Sequence, residues 1–332
     1  MVNNNRTPTD TIAAFANLND PDDSRIGHLL ANSRDSGESK SPSNSTPKIH
    51  LLGYPDDEGI SLNGGRPGAH LGPDSIRQFL FRMTPPPQKS RDLPLFDLGN
   101  LNIKDLSLEE RHLSAQSIAE ESLKSGARWM SFGGGHDYGF PDTSAFVEFC
   151  LKSMPEQRPL VINIDAHLDV RPLNKGLTSG TPFYRLLEKH HSKIDFIEIG
   201  PQNHCNSQAH LTWCRKKGGR VLFWDDIQNS DQPPVKVVRR FLEVELRKPR
   251  PTFLSIDIDA FSSSYAMGCS QSWPSGFTCE QFFSVFELLL SHCSVRGLGI
   301  YEVSPPLDLD SRTAKLAALI AYRFIYFEAH RF

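Results

Sequence analysis

The chain has 332 residues, 38% of them hydrophobic and 23% charged, with a net charge of −3. This composition is ordinary for a soluble globular protein, and its slight acidity offers no general attraction to nucleic acid or an anionic membrane. No apolar run approaches the roughly 20 residues of a bilayer span. Six scattered cysteines without a C-x-x-C pair read as reduced thiols rather than a disulfide framework. The first residues lack the basic-then-apolar pattern of a secretory signal and hold too many acids for a mitochondrial presequence. A cytoplasmic protein is expected.

Residues 1–46 are rich in Asn, Asp, Ser, Thr and Pro, and end in SGESKSPSNSTP. Such a segment buries too little apolar surface to offset its ordering entropy. It reads as a flexible polar tail, with one turn of helix at Ile12–Phe15. From 47 to 332 the texture changes to that of one catalytic domain. Apolar runs occur at Ile49–Leu52, Leu95–Leu98, Trp129–Phe132, Leu160–Ile164, Phe196–Ile199, Val221–Trp224, Phe253–Ile258 and Leu298–Val303. Helical patterns lie between most of them, at Leu108–Lys124, Val235–Leu246 and Phe282–Leu290. Thr278 with Gln281 three residues on is a capping box opening the last of these. Runs apolar on both faces, alternating with helices, predict an α/β domain with a parallel sheet covered on each side. No internal repeat is visible.

Ligands of such sheets bind beyond the carboxyl ends of the strands, and four of the runs carry unusual residues there. The third leads into GGGHD with His136. The fourth leads into DAHLD, with Asp165, His167 and Asp169 at alternate positions. The seventh ends with Asp257 and Asp259, and the eighth at Glu302 in YEVSPP. Side chains two apart on extended backbone point the same way. At roughly 4 Å and an effective dielectric near 20, each unscreened like-charge pair would cost about 4 kcal/mol. Cations between the acids resolve that conflict. Two imidazoles with several carboxylates suit Mn²⁺, Fe²⁺ or Zn²⁺, and the carboxylate majority favours manganese. Six ligands are too many for one catalytic ion that keeps an open position, so two ions would share them. Singly, each segment has a plain reading: His136 as a turn residue, one D-x-D as a helix cap. In this order, each after a strand, they point to a site.

These segments resemble the signature segments of the ureohydrolases: arginases, agmatinases and formiminoglutamases. GGGHD, NIDAHLDVR, SIDIDAF and YEVSPP carry the resemblance, and GYPDDEGISLNGGRPGAHLGPDSIR near the start of the domain is similar to that family's first strand and loop. It covers the chain from Lys48 onward. It implies a three-layer arginase-like fold, an eight-stranded parallel sheet flanked by helices. It also implies that His136 and Asp169 bind one manganese ion, that His167 and Asp259 bind the other, and that Asp165 and Asp257 bridge both. A hydroxide between the ions would attack an amidine-type carbon, Asp169 would carry its proton to the departing nitrogen, and Glu302 would hold the cationic nitrogen of the substrate.

Within the family, DVRPLNKGLTSGTPFY is similar to formiminoglutamases. Arg171 stands where arginases have an asparagine, and its fork suits a substrate with two carboxylates, with Ser179 adding a hydrogen bond. Phe183 stands in a stretch where arginases carry a proton-shuttling histidine. The plain reading of Arg171 is a surface arginine or a partner of Asp169. Arg66 would meet the second carboxylate, or serve a glycine-rich turn. The stretch AFSSSYAMGCSQSWPSGFT departs from the family by lacking a further Asp-Pro, and puts Cys269 near the entrance, as an inert or a modulating thiol. The expected reaction is hydrolysis of N-formimino-L-glutamate to L-glutamate and formamide, a step of histidine degradation. The alternatives are a guanidino-substrate hydrolase such as an arginase, and a metal-free binding or regulatory relative. Relatives are commonly oligomers, yet no interface stripe is visible in the sequence.

Overall fold

In the computed structural model, residues 6–9, 23–35, 48–87 and 94–327 are described. Nine strands form one sheet: β1 (Arg6–Thr7), β2 (Ile49–Gly53), β3 (Leu95–Leu101), β4 (Arg128–Phe132), β5 (Leu160–Ile164), β6 (Asp195–Ile199), β7 (Arg220–Leu222), β8 (Pro251–Asp257) and β9 (Ser294–Tyr301). Their order is β1-β3-β2-β4-β9-β8-β5-β6-β7. Strands β2 to β9 pair parallel throughout. They are the eight runs seen in the sequence. Boundaries differ: β8 stops at Asp257 and β9 at Tyr301, short of Ile258 and Val303. Strand β7 stops at Leu222, and Trp224, expected in the run, opens a short helix and donates its backbone N–H to Pro201 O at 2.9 Å.

Two described stretches within residues 1–46 depart from expectation. Arg6 and Thr7 add an antiparallel ninth strand, opposite Leu101 and Asn100 of β3. A helix spans Ile26–Asp35, with Ile26 and Leu30 buried in the main core. The stretch is not uniformly polar: IGHLL brings two apolar side chains to one helix face, and burial rewards them. Ile12–Phe15 lies outside the described residues.

The sheet is buried on both faces because successive side chains alternate between two apolar clusters. Met130, Ile162 and Leu254 belong to one cluster, while Trp129, Val161 and Phe253 belong to the other. Every residue of β5 and β8 is buried. Helices cover each side, among them Leu108–Lys124, Gly139–Ser153, Cys279–His292 and Arg312–Tyr326. The Thr278–Gln281 capping box forms, and a second one at Ser107 and Glu110 opens Leu108–Lys124. Strands β4, β9, β8 and β5 are consecutive in the sheet, so their carboxyl ends lie side by side. Among the described residues, no helix is long and apolar enough to cross a membrane.

Candidate metal centre and substrate cavity

Gly133–Gly135 bring the chain out of β4 through a space too tight for side chains. A Cβ at Gly134 would stand 1.7 Å from the Asp56 carbonyl oxygen. His136 therefore emerges fully buried at the rim. Its Nε2 faces Ser255 Oγ at 2.9 Å, and its ring stacks on Tyr301 (centroids 4.7 Å) and meets Phe183 edge-on at 5.4 Å. These contacts leave Nδ1 aimed at three carboxylates: Asp165 Oδ2 at 3.1 Å, Asp169 Oδ2 at 3.0 Å and Asp257 Oδ2 at 3.1 Å. Yet this buried nitrogen has no hydrogen-bond partner in acceptable geometry. One nitrogen and three oxygens converging on a shared point without bonding one another is what a cation site requires.

A second group adjoins it. His167 Nδ1 lies 3.0 Å from Asp259 Oδ2 and 3.5 Å from Asp165 Oδ1. Asp165 belongs to both groups, while Asp257 joins only the first. The carboxylates are aimed by backbone. His167 N–H donates to Asp165 Oδ1 at 2.6 Å, Asp259 N–H to Asp257 Oδ1 at 2.8 Å, and Ala166 N–H to Asp259 Oδ1 at 3.3 Å. Asn163 Nδ2 adds a bond to Asp165 Oδ2 at 3.1 Å and another to the buried Glu198 at 2.9 Å. Asp169 and Glu302 hold left-handed φ values of +46° and +67°, conformations that cost non-glycine residues energy and gather at functional sites. Glu302 Oε1 accepts the His136 N–H at 3.1 Å, which fixes it at the edge of the first group.

The electrostatics fit the same picture. Burial, and then the charge of Asp165, push Asp257 up to about 6. Burial with the charge of Asp257 carries Asp259 and Glu302 well above the ordinary carboxylate range. Burial opposes protonation of His136, but the three carboxylates close to its Nδ1 raise it well above its usual value. Asp165, also opposed by burial, is drawn down by the two histidines. More negative charge converges here than two imidazoles balance, and a divalent cation pair fits the donor set.

The groups open into a cavity of about 260 Å³ lined by His167, Asp169, Asp257, Asp259 and Glu302. Arg171, Ser179 and Asn63 line the same cavity. Arg171 is exposed and makes no ion pair with Asp169 among the described contacts; its Nη1 donates to Asn63 Oδ1 at 3.1 Å. Arg66 is not one of the lining residues: its guanidinium donates to Ser270 O and Cys269 O, both at 3.0 Å, which ties down the loop after β8. Cys269 is buried, and burial first and the acid charges next push its thiol well up. The cysteine that lines the cavity is Cys205.

Sequence reasoning missed Asn63, His204, Cys205 and Trp273, which reach the cavity from loops without a metal-ligand pattern. It also missed Asp142. This fully buried carboxylate accepts from Tyr54, Trp129, Ser131 and Tyr301, and so anchors the ring on which His136 stacks.

The sequence model of the arginase family matches residues 47–326. The formimidoylglutamase of Rhodococcus jostii is 29% identical over 280 residues, covering 83% of this chain and 84% of that protein. That of Staphylococcus aureus is 30% identical over 278 residues, with 83% and 85% covered. Among solved structures, Trypanosoma cruzi formiminoglutamase with Mn²⁺ superposes with a TM-score of 0.75 at 28% identity, covering 91% of this chain and 97% of that one.

Proposed function

The chain belongs to the arginase family, and on that premise we propose that it is a manganese hydrolase converting N-formimino-L-glutamate and water to L-glutamate and formamide. One observation carries the reading: two His/Asp groups that share Asp165 open into a cavity that Arg171 and Ser179 also line. Relatives named formimidoylglutamase, and the Mn²⁺ in the T. cruzi structure, support it.

His136, Asp165, Asp169 and Asp257 would hold one ion. Asp165, His167 and Asp259 would hold the other, with Asp257 as a further ligand. Bound manganese supplies Lewis acidity that makes water a competent nucleophile near neutral pH. Asp169 takes a proton from that water as its oxygen adds to the formimino carbon. It then returns the proton to the glutamate nitrogen as the C–N bond breaks, releasing formamide. Glu302 binds the cationic formimino nitrogen through a charge-assisted hydrogen bond, while Arg171 and Ser179 take a carboxylate. Agmatine, cationic and without a carboxylate, would be repelled by Arg171. Phe183 packs on the His136 ring, so it serves the first group of ligands and moves no proton. A reaction in the cytoplasm, within histidine breakdown, is consistent with this chemistry.

A product assay with added Mn²⁺ on formimino and guanidino compounds tests the reading. Formamide from N-formimino-L-glutamate, with no urea from arginine or guanidinobutyrate, is expected. Urea without formamide would transfer the chain to a guanidino substrate. Absence of bound manganese together with absence of both products would leave a binding relative.

A further inference from the structure

Asn63 stands between the two side chains assigned to the substrate carboxylate. Its Oδ1 accepts from Arg171 Nη1, and its Nδ2 donates to Ser179 Oγ, each at 3.1 Å. It arrives from a separate segment, the turn closing the helix Glu58–Leu62, where its backbone N–H bonds the carbonyls of Gly59 and Ile60 at 3.1 Å. One backbone bond clasps that segment to the loop after β5, and a second closes the loop on itself. Ser179 N–H donates to Gly59 O at 3.0 Å, and Arg171 N–H donates to Gly180 O at 2.8 Å. Gly180 makes the approach feasible, since a Cβ there would stand 2.7 Å from Arg171 Cδ and 3.2 Å from Asn63 Nδ2.

The polarity of the amide is forced. A guanidinium only donates, so the amide must present its oxygen to Arg171, which turns its NH₂ towards Ser179. The Ser179 oxygen then accepts, leaving its own hydrogen to be donated elsewhere. Arg171 engages one of its five N–H groups with Asn63 and keeps the others. Two groups with spare donors and no acid between them are what a carboxylate ligand recognises.

We propose that Asn63 is a specificity-positioning residue, which holds Arg171 and Ser179 as one carboxylate-binding pair and fixes Ser179 as a donor to the ligand. The assignment rests on the reading that this cavity takes a carboxylate substrate. Asn63→Asp keeps the size of the side chain but makes it accept only. The new carboxylate captures the Ser179 hydrogen and neutralises Arg171. Asn63→Ala frees both partners without adding charge.

The test measures binding of L-glutamate by calorimetry to the manganese-loaded protein, with KM and kcat for N-formimino-L-glutamate alongside. Asn63→Asp is expected to weaken L-glutamate and raise KM by about tenfold or more, as loss of a charge-assisted bond does, with kcat and bound manganese within about twofold. Asn63→Ala is expected to fall between wild type and Asn63→Asp. Wild-type affinity in Asn63→Asp, equal damage from both variants, or no glutamate binding by the wild type would each overturn the proposal. Whether the wild type releases formamide decides the substrate reading separately, because the binding measurement needs no turnover.

Discussion

The two rims of one sheet treat negative charge in opposite ways. At the amino rim, Asp195 begins β6 and accepts from Arg250 at 2.6 Å and Arg158 at 2.8 Å. Burial raises its pKa, but these two arginines outweigh that and hold it below the ordinary carboxylate range. At the carboxyl rim, Asp165, Asp169, Asp257, Asp259 and Glu302 face two histidines and no arginine ion pair among the described residues. Asp142 is a third case, deep in the core, where four neutral donors satisfy a carboxylate that burial pushes upward. The fold evidently can supply arginines and donors to its acids. Where it withholds them, positive charge has to come from outside.

Removing one acid from the carboxyl rim breaks the contrast most severely. Asp257→Asn should abolish bound manganese, by metal analysis, and cut formamide release by about a thousandfold, since several kcal/mol of Lewis-acid stabilisation go with the ions. The same change should leave the metal-free protein no less stable in thermal unfolding, because it relieves like-charge repulsion. Arg171→Ala acts on the lining of the same cavity. Its KM should rise by about tenfold or more, with metal content intact; an unchanged KM would take Arg171 out of the substrate site. Tyr301→Phe withdraws one donor from Asp142 and should cost about 1–3 kcal/mol in denaturant unfolding, while the stacked ring still supports His136. Asp195→Asn should cost only about 1 kcal/mol and leave turnover unchanged. Because the folded pKa of Asp195 is depressed, its contribution is present at neutral pH. That contribution shrinks as pH falls below about 4, through the folded value. The wild type and Asp195→Asn should therefore converge in stability in acid.

The strands and the rim acids were legible because both are written locally. Runs apolar on both faces mark central parallel strands, and an acid directly after such a run has little structural use. The Asp-x-His-x-Asp alternation marked the site, but not through extended backbone: residues 165–167 are bends beyond β5, and Asp169 takes a left-handed φ. What escaped was written across distance. Asn63 meets Arg171 and Ser179 over 108 and 116 residues, with no period linking them. Arg66 was open to two readings, a substrate carboxylate or a structural turn, and two carbonyls of a loop some 200 residues later claim it. Cys205 reaches the cavity through the tertiary course of a loop, while Cys269, nearer in sequence to the acids, is buried and does not line it. The amino-terminal segment misled through its average: polar overall, it still places Ile26 and Leu30 on one helix face.

Manganese titration of the metal-free protein, read as bound ions per chain and by anomalous diffraction, tests the charge deficit at the carboxyl rim most directly. Two ions are predicted, one among His136, Asp165, Asp169 and Asp257 and the other among Asp165, His167, Asp259 and Asp257. A saturated crystal showing only water between those side chains, with the acids still clustered, would contradict the account.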